Sequence, residues 1–180
     1  MENASKALLI AGGVLIAILV MTLGIYFSKM IADHSAKVYA QLEESRRTEF
    51  NQKFLNYDIN QRKEDGSSNT DLTIQDVVTL ANLAQSNNIS NGLMKRNSDG
   101  TIEAIRPQGF NNNWNSNNWN NIKSYYVAVK YKNTYIEDKS ESELNTGMTN
   151  EMKKENILKY SCKVYINQNT GYVNYIEITN

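Results

Sequence analysis

The chain has 180 residues, enough for about one folded domain and an additional segment. Its 19 basic and 19 acidic side chains cancel, so no overall positive field attracts nucleic acid, and we expect no nucleic-acid partner. Cys162 is the single cysteine and His34 the single histidine, which excludes an internal disulfide framework, a multi-thiolate metal site and a two-histidine metal motif. Asparagine is unusually frequent, at 26 residues, which indicates a polar, hydrogen-bonding surface. This composition favours a membrane-attached or secreted structural protein over an enzyme.

The first predicted element is a membrane-spanning helix. Residues 7–27, ALLIAGGVLIAILVMTLGIYF, contain no charged side chain. At about 1.5 Å rise per residue, a helix of this length crosses the roughly 30 Å hydrocarbon core of a bilayer. The run exceeds the roughly 7–15 apolar residues of a cleavable signal peptide, and no small-x-small site follows it closely. We therefore expect an uncleaved single-pass anchor. Its orientation stays open, because lysines flank the run on both sides, Lys6 before it and Lys29 and Lys37 after it.

The same helix is predicted to continue past the membrane, so that residues 1–59 form one membrane-spanning and amphipathic element. No proline or glycine occurs between Phe27 and Gly66, and apolar residues keep helical spacing as far as Tyr57. Small residues in the apolar run allow close helix–helix approach, and an apolar stripe follows them into the polar half. Together these residues form a predicted assembly face: Gly12, Gly13, Gly24, Phe27, Ile31, Val38 and Leu42.

A polar linker, residues 60–71, is predicted to precede an α+β head domain of residues 72–180. A helix is expected over residues 73–86, because Thr73 and Asp76 have the spacing of a capping box.

The amides Asn87 and Asn88 are expected to end that helix. Short strands are predicted over residues 101–105 and 125–131, and a short helix after Thr149.

The last predicted element is an antiparallel hairpin. Residues 160–166 and 172–178 alternate in polarity around a turn that ends in Gly171, where a left-handed residue is wanted. Pairing Ile166 with Tyr172 places Cys162 opposite Ile176 on an apolar face. On this register Cys162 is a buried small hydrophobe and not a reactive thiol.

We find no catalytic, cofactor-binding or metal-binding constellation, and expect neither enzymatic activity nor a cofactor. The one unusual surface feature is residues 109–121, GFNNNWNSNNWNN. Trp114 and Trp119 could stack on sugar rings while asparagines bind the hydroxyls. The composition favours the alternative, a low-complexity loop whose tryptophans fold back on the head.

A short polar start, an apolar helix, an amphipathic continuation and a small head ending in antiparallel strands resemble type IV pilins and pseudopilins. The resemblance covers the whole chain as architecture and, in sequence, mainly residues 7–57. The first residues, MENASKALLIAGG, differ from the Phe-Thr-Leu-Ile-Glu-like start of those proteins. The acid that those proteins carry five residues into the mature helix is absent, unless Glu2 stands in for it. The resemblance implies that copies of the helix pack together in the membrane or in a filament, with the head outside the cell.

Two functions therefore compete at this point. The first is a pilin-like structural subunit that is anchored in the cell membrane and assembles into a surface filament or secretion-type pseudopilus. Its partners would be the lipid membrane, further copies of itself and proteins of an assembly machinery. The alternative is a monomeric, single-pass, extracellular binding module that uses the loop with Trp114 and Trp119.

Overall fold

The computed structural model describes residues 2–61, 68, 71–107, 110, 119, 125–155 and 159–180, with only the backbone at 148 and 151–155. The fold is α+β, as the sequence predicts. The chain divides into two compact units, Met1–Arg46 and Arg47–Asn180. The elements are α1 (Glu2–Leu55), α2 (Ile74–Ser90), β1 (Met94–Arg96), β2 (Ile102–Ala104), β3 (Ala128–Tyr131), β4 (Thr134–Tyr135), α3 (Glu141–Glu155), β5 (Ser161–Ile166) and β6 (Val173–Thr179).

The first unit consists of the α1 residues up to Arg46. Every described side chain in it is exposed, including the whole apolar run. Within the described ranges, α1 is the one helix long and apolar enough to cross a membrane, judged by length and composition. A single-pass anchor is compatible with this helix.

The second unit is built on a four-stranded sheet of order β4-β3-β6-β5, beside a separate two-stranded pair, β1-β2. Strand β6 pairs antiparallel with β5 but parallel with β3. The sheet is therefore mixed, where the sequence predicted antiparallel strands only. A parallel pair needs a long crossover connection, and here β4, α3 and β5 supply it.

The predicted hairpin forms, but its register is wrong by two residues. Cys162 lies opposite Ile178, and the pairing shifts by one residue at a bulge between Tyr165 and Ile166. At this bulge Asn174 is the extra residue of β6, without a partner on β5. The sequence alone does not reveal such a bulge. From Ser161 to Tyr165 the error is two residues, so these side chains keep their predicted faces. Beyond the bulge the error is one residue, and Val173 lies on the same face as Cys162.

Gly171 closes the turn of this hairpin in the left-handed conformation expected of it, with φ of +74°. A Cβ atom there would also lie 2.8 Å from the Arg47 side chain, which packs against the turn. Both constraints favour glycine at this position.

Helix α2 begins as predicted, with both hydrogen bonds of the capping box between Thr73 and Asp76. The prediction of its end was wrong, because the helix passes through Asn87 and Asn88 and ends at Ser90. Their amides bond outward, to other elements, and so do not compete with the helical backbone.

Helix α3 also begins earlier than predicted, at Glu141 instead of after Thr149. Ser140 and Glu143 exchange the two hydrogen bonds of a second capping box, with Ser140 N donating to Glu143 over 2.8 Å. That signal is present in the sequence as Ser-x-x-Glu.

The core of the second unit lies on both faces of the sheet. One face packs on α2 and on Phe54 of α1, which is 1% exposed. Asn51 of the same helical turn donates to Gly171 O over 2.8 Å and accepts from Val173 N over 2.8 Å. The last turns of α1, assigned by sequence to the membrane helix, thus belong to the core of the head.

The chain on both sides of the predicted linker covers the outer edge of β5. Ile59 N donates to Cys162 O over 2.7 Å, and Leu72 exchanges two backbone hydrogen bonds with Tyr160. Residues 62–67, 69 and 70 of the linker lie outside the described residues. Covering this edge leaves fewer strand groups open to pairing with another chain.

Candidate functional site

The predicted assembly face is a continuous sector of α1 in the first unit. At about 100° of rotation per residue, its seven positions fall within a sector of about 120°. No charged residue between positions 7 and 46 falls in this sector. In the polar half, the charged residues Lys29, Asp33, Lys37 and Glu43 all fall outside this sector by the same rotation.

The side chains of the assembly face are accessible along their whole length. Phe27, Ile31, Val38 and Leu42 are 52%, 63%, 47% and 44% exposed. A side-chain carbon built on Gly12, Gly13 or Gly24 would meet no atom of the described residues within 4 Å, apart from the adjacent residues and the nearby backbone of the helix itself. A partner helix could therefore approach the backbone closely at the glycines and bury apolar side chains farther along.

The Asn/Trp-rich loop is described only in part. Trp119 is half-buried against the second core cluster, with its ring centroid 5.6 Å from that of Tyr165. Its carbonyl accepts a hydrogen bond from the amide of Asn174 over 3.1 Å. Trp114, the other predicted contact residue, lies outside the described residues. Trp119 folds back on the head, as we expect for a low-complexity loop.

Asn88 is a key residue of the head that the sequence analysis did not identify. Its side chain is fully buried and pairs with the backbone of Val127, donating to the carbonyl over 2.9 Å and accepting from the amide over 2.8 Å. Asn87 donates to Tyr125 O over 2.8 Å. The pair therefore attaches α2 to the entrance of β3. The only sequence signal for this role is the pair of adjacent asparagines at the end of an apolar helix.

Glu137 is a second residue that the sequence analysis missed. The side chain follows β4 and is 0% exposed. One carboxylate oxygen accepts from the Tyr126 hydroxyl over 2.9 Å, and the other from Val129 N over 3.0 Å. Burial raises the pKa of this carboxyl to about 7, against the opposing effect of its hydrogen bonds. Burial, and then the adjacent Glu137 carboxylate, raise the pKa of Tyr126 far above its ordinary value.

Arg106 lies at the edge of the same cluster but pairs with a different acid. Its guanidinium donates to Asp138 over 2.7 Å. The guanidinium carbon also lies 5.1 Å from the ring centroid of Phe110 and 5.7 Å from that of Tyr135. Arg106 thus fixes the segment after β2 on the aromatic side of the sheet.

No family model, curated protein or solved structure matches the chain. One long apolar N-terminal helix and a small α+β head are compatible with a pilin-like architecture. The predicted assembly face is exposed in this architecture.

Proposed function

We propose that the protein is a pilin-like structural subunit, anchored in the cell membrane by residues 7–27 and assembled with copies of itself through the assembly face. The observation that supports this proposal most directly is the accessible, uncharged sector of α1 that extends from Gly12 to Leu42. The head faces the outside of the cell, and the product is a surface filament or a pseudopilus. Assembly-machinery proteins are the expected further partners.

Two forces act on this face in its two environments. In lipid, the tails already satisfy the apolar side chains, so close packing at Gly12, Gly13 and Gly24 drives association. In water, burial of Ile31, Val38 and Leu42 contributes about 25 cal/mol for each Å² of apolar surface. Because both contributions act on the same side of α1, they favour side-by-side packing of copies whose helices point in the same direction.

Chemical cross-linking of the full chain in lipid vesicles tests the proposal. Gly13→Leu introduces a steric clash on the face, and Val38→Glu buries a charge there. A penalty of about 1.4 kcal/mol weakens association ten-fold, so both variants should lose most of the oligomer ladder. Electron microscopy of the unmodified protein should show filaments.

Matched variants on the opposite side of α1 serve as controls. Ala7→Leu adds similar bulk, and Ala36→Glu adds the same charge, so both should keep the ladder. Trp114→Ala and Trp119→Ala should keep it as well. If the tryptophan variants abolish the ladder while Gly13→Leu and Val38→Glu preserve it, the loop is the interaction site. Dispersed monomers in every case would support the monomeric binding module instead.

A further inference from the structure

His34, the single histidine of the chain, lies inside the assembly face. At about 100° of rotation per residue it falls about 40° inside one edge of the sector, between Ile31 and Val38 along the helix. Its side chain is exposed, and it is the one titratable side chain that residues 7–46 place in this sector. It follows Phe27 by seven positions, so that in the proposed anchor it lies about 10 Å beyond the apolar run, in water.

The surroundings of His34 on the helix supply no opposite charge. Residues three and four positions away are its neighbours on the helix surface: Met30, Ile31, Lys37 and Val38. Lys37 carries the same sign of charge as a protonated histidine. The acids closest to the sector by rotation, Asp33 and Glu44, lie about 60° and 40° beyond its edge. Every described side chain of this unit is exposed, so the groups that face His34 in an assembly come from the same sector of neighbouring copies.

The charge of His34 therefore decides whether the assembly face is wholly apolar at this level of the helix. A histidine side chain ordinarily changes its charge between about pH 5 and pH 8. A neutral imidazole can be buried beside Ile31 and Val38 at little cost. A protonated one would lose its water without gaining an acidic partner, which disfavours the contact. It would also meet the like charge of the copies that point in the same direction.

We propose that His34 makes assembly through this face sensitive to pH, so that copies associate while the histidine is neutral and separate when it is protonated. This role rests on the proposed function, since the histidine regulates the same assembly face. The exposed single copy tolerates the charged form and the contact disfavours it, so in acid each association must release a proton. The dissociation constant should therefore rise as the pH falls, by up to ten-fold per pH unit for each histidine that a contact buries.

Photo-cross-linking of the full chain in phosphatidylcholine vesicles at pH 5 and pH 8 tests this role. Photo-activated coupling does not need a deprotonated amine, and the lipid head group does not titrate in this range. Oligomer ladders recorded over a series of protein-to-lipid ratios give an apparent dissociation constant. For the wild type it should be at least about ten-fold higher at pH 5 than at pH 8. His34→Gln is polar but neutral at both pH values, so its constant should not differ between them.

Two further variants separate the position of the histidine from its presence. His34→Arg carries a permanent charge and should lose most of the ladder at both pH values. His34→Gln combined with Ala36→His moves the histidine to the opposite side of α1, where residue 36 is also exposed. This double variant should keep its ladder at pH 5, as His34→Gln does.

The outcomes distinguish the role of His34 from the assembly itself. Equal wild-type ladders at pH 5 and pH 8 would overturn the role of His34 and leave the proposed assembly in place. A loss in acid of the same size in His34→Gln would also overturn it, because another group would then titrate. No ladder at either pH, in the wild type and in His34→Gln alike, would contradict the assembly proposed above and its regulation together.

Discussion

Two buried asparagines take the place of strand partners in the head. Asn51 bonds to Gly171 O and Val173 N, and Asn88 bonds to the amide and the carbonyl of Val127. An amide side chain carries one donor group and one acceptor, as a backbone unit does, and so it satisfies both groups of the neighbouring chain. Part of the high asparagine content therefore stabilises the interior and not only the surface.

Asn88→Ala should lower the free energy of unfolding by about 2–4 kcal/mol, because it leaves the buried amide and carbonyl of Val127 without partners. Chemical denaturation followed by tyrosine fluorescence measures the change. Asn82→Ala, on the same helix but half-exposed, should change it by less than about 0.5 kcal/mol. Equal effects of the two substitutions would contradict the role assigned to Asn88.

Cys162 should resist alkylation in the native state. Burial first, and then the nearby Asp58, raise the pKa of its thiol to about 12 from 9.0. At pH 8 the thiolate fraction is then about 1000-fold lower than in the unfolded chain, and the thiolate is the reactive form. Iodoacetamide labelling with and without guanidinium compares the two states. Rapid labelling of the folded protein would mean that the thiol is accessible.

At the scale of elements, the last turns of α1 should matter as much to the head as its own helices do. Phe54→Ala removes a fully buried ring and should cost about 3–5 kcal/mol of unfolding free energy. Tyr39→Ala, an exposed aromatic in the first unit, is the control and should leave the unfolding of the head unchanged. A Phe54→Ala protein as stable as the wild type would show that the head does not depend on α1.

A fragment that begins at Arg47 should unfold cooperatively, whereas one that begins at Asn60 should not. The shorter fragment lacks Phe54 and Asn51, and hence both the ring in the core and the two bonds to the turn of the hairpin. Circular dichroism during heating distinguishes the two fragments. Equal cooperative transitions in both fragments would instead support a boundary of the head domain at residues 60–71, as the sequence indicates.

Local signals predicted much of this fold, and long-range pairing accounts for what they missed. The capping box of Thr73 and Asp76 and the left-handed Gly171 are fixed by near neighbours, and both predictions are confirmed. The parallel partner of β3 lies about 47 positions away in the chain, and Asn174 at the bulge donates its amide to Trp119 O, 55 positions away. The burial of Glu137 also depends on residues distant in the sequence, because its sequence neighbours are those of an ordinary surface acid.

At the scale of the whole molecule, residues 7–27 should hold the protein in the membrane. The protein should stay in the membrane pellet at alkaline pH and be released only by detergent. Leu15→Arg combined with Leu19→Arg adds about 2.5–3.5 kcal/mol for each charge near the bilayer centre, so much of the protein should move to the soluble fraction. Gln41→Arg, outside the apolar run, should leave it in the pellet. Release of the wild-type protein without detergent would contradict the anchor.

The position of β6 sets the order in which the head can fold. This strand comes last in the chain but lies in the middle of the sheet, between β3 and β5. Until residues 173–179 have been synthesised, β3 has no parallel partner, and Asn51 has no amide of Val173 to bind. A chain that emerges from its N-terminus would therefore lack the central strand of its sheet until residues 173–179 arrive. Contacts between residues 120 or more positions apart then form late, and folding on the slow side, in milliseconds to seconds, is expected.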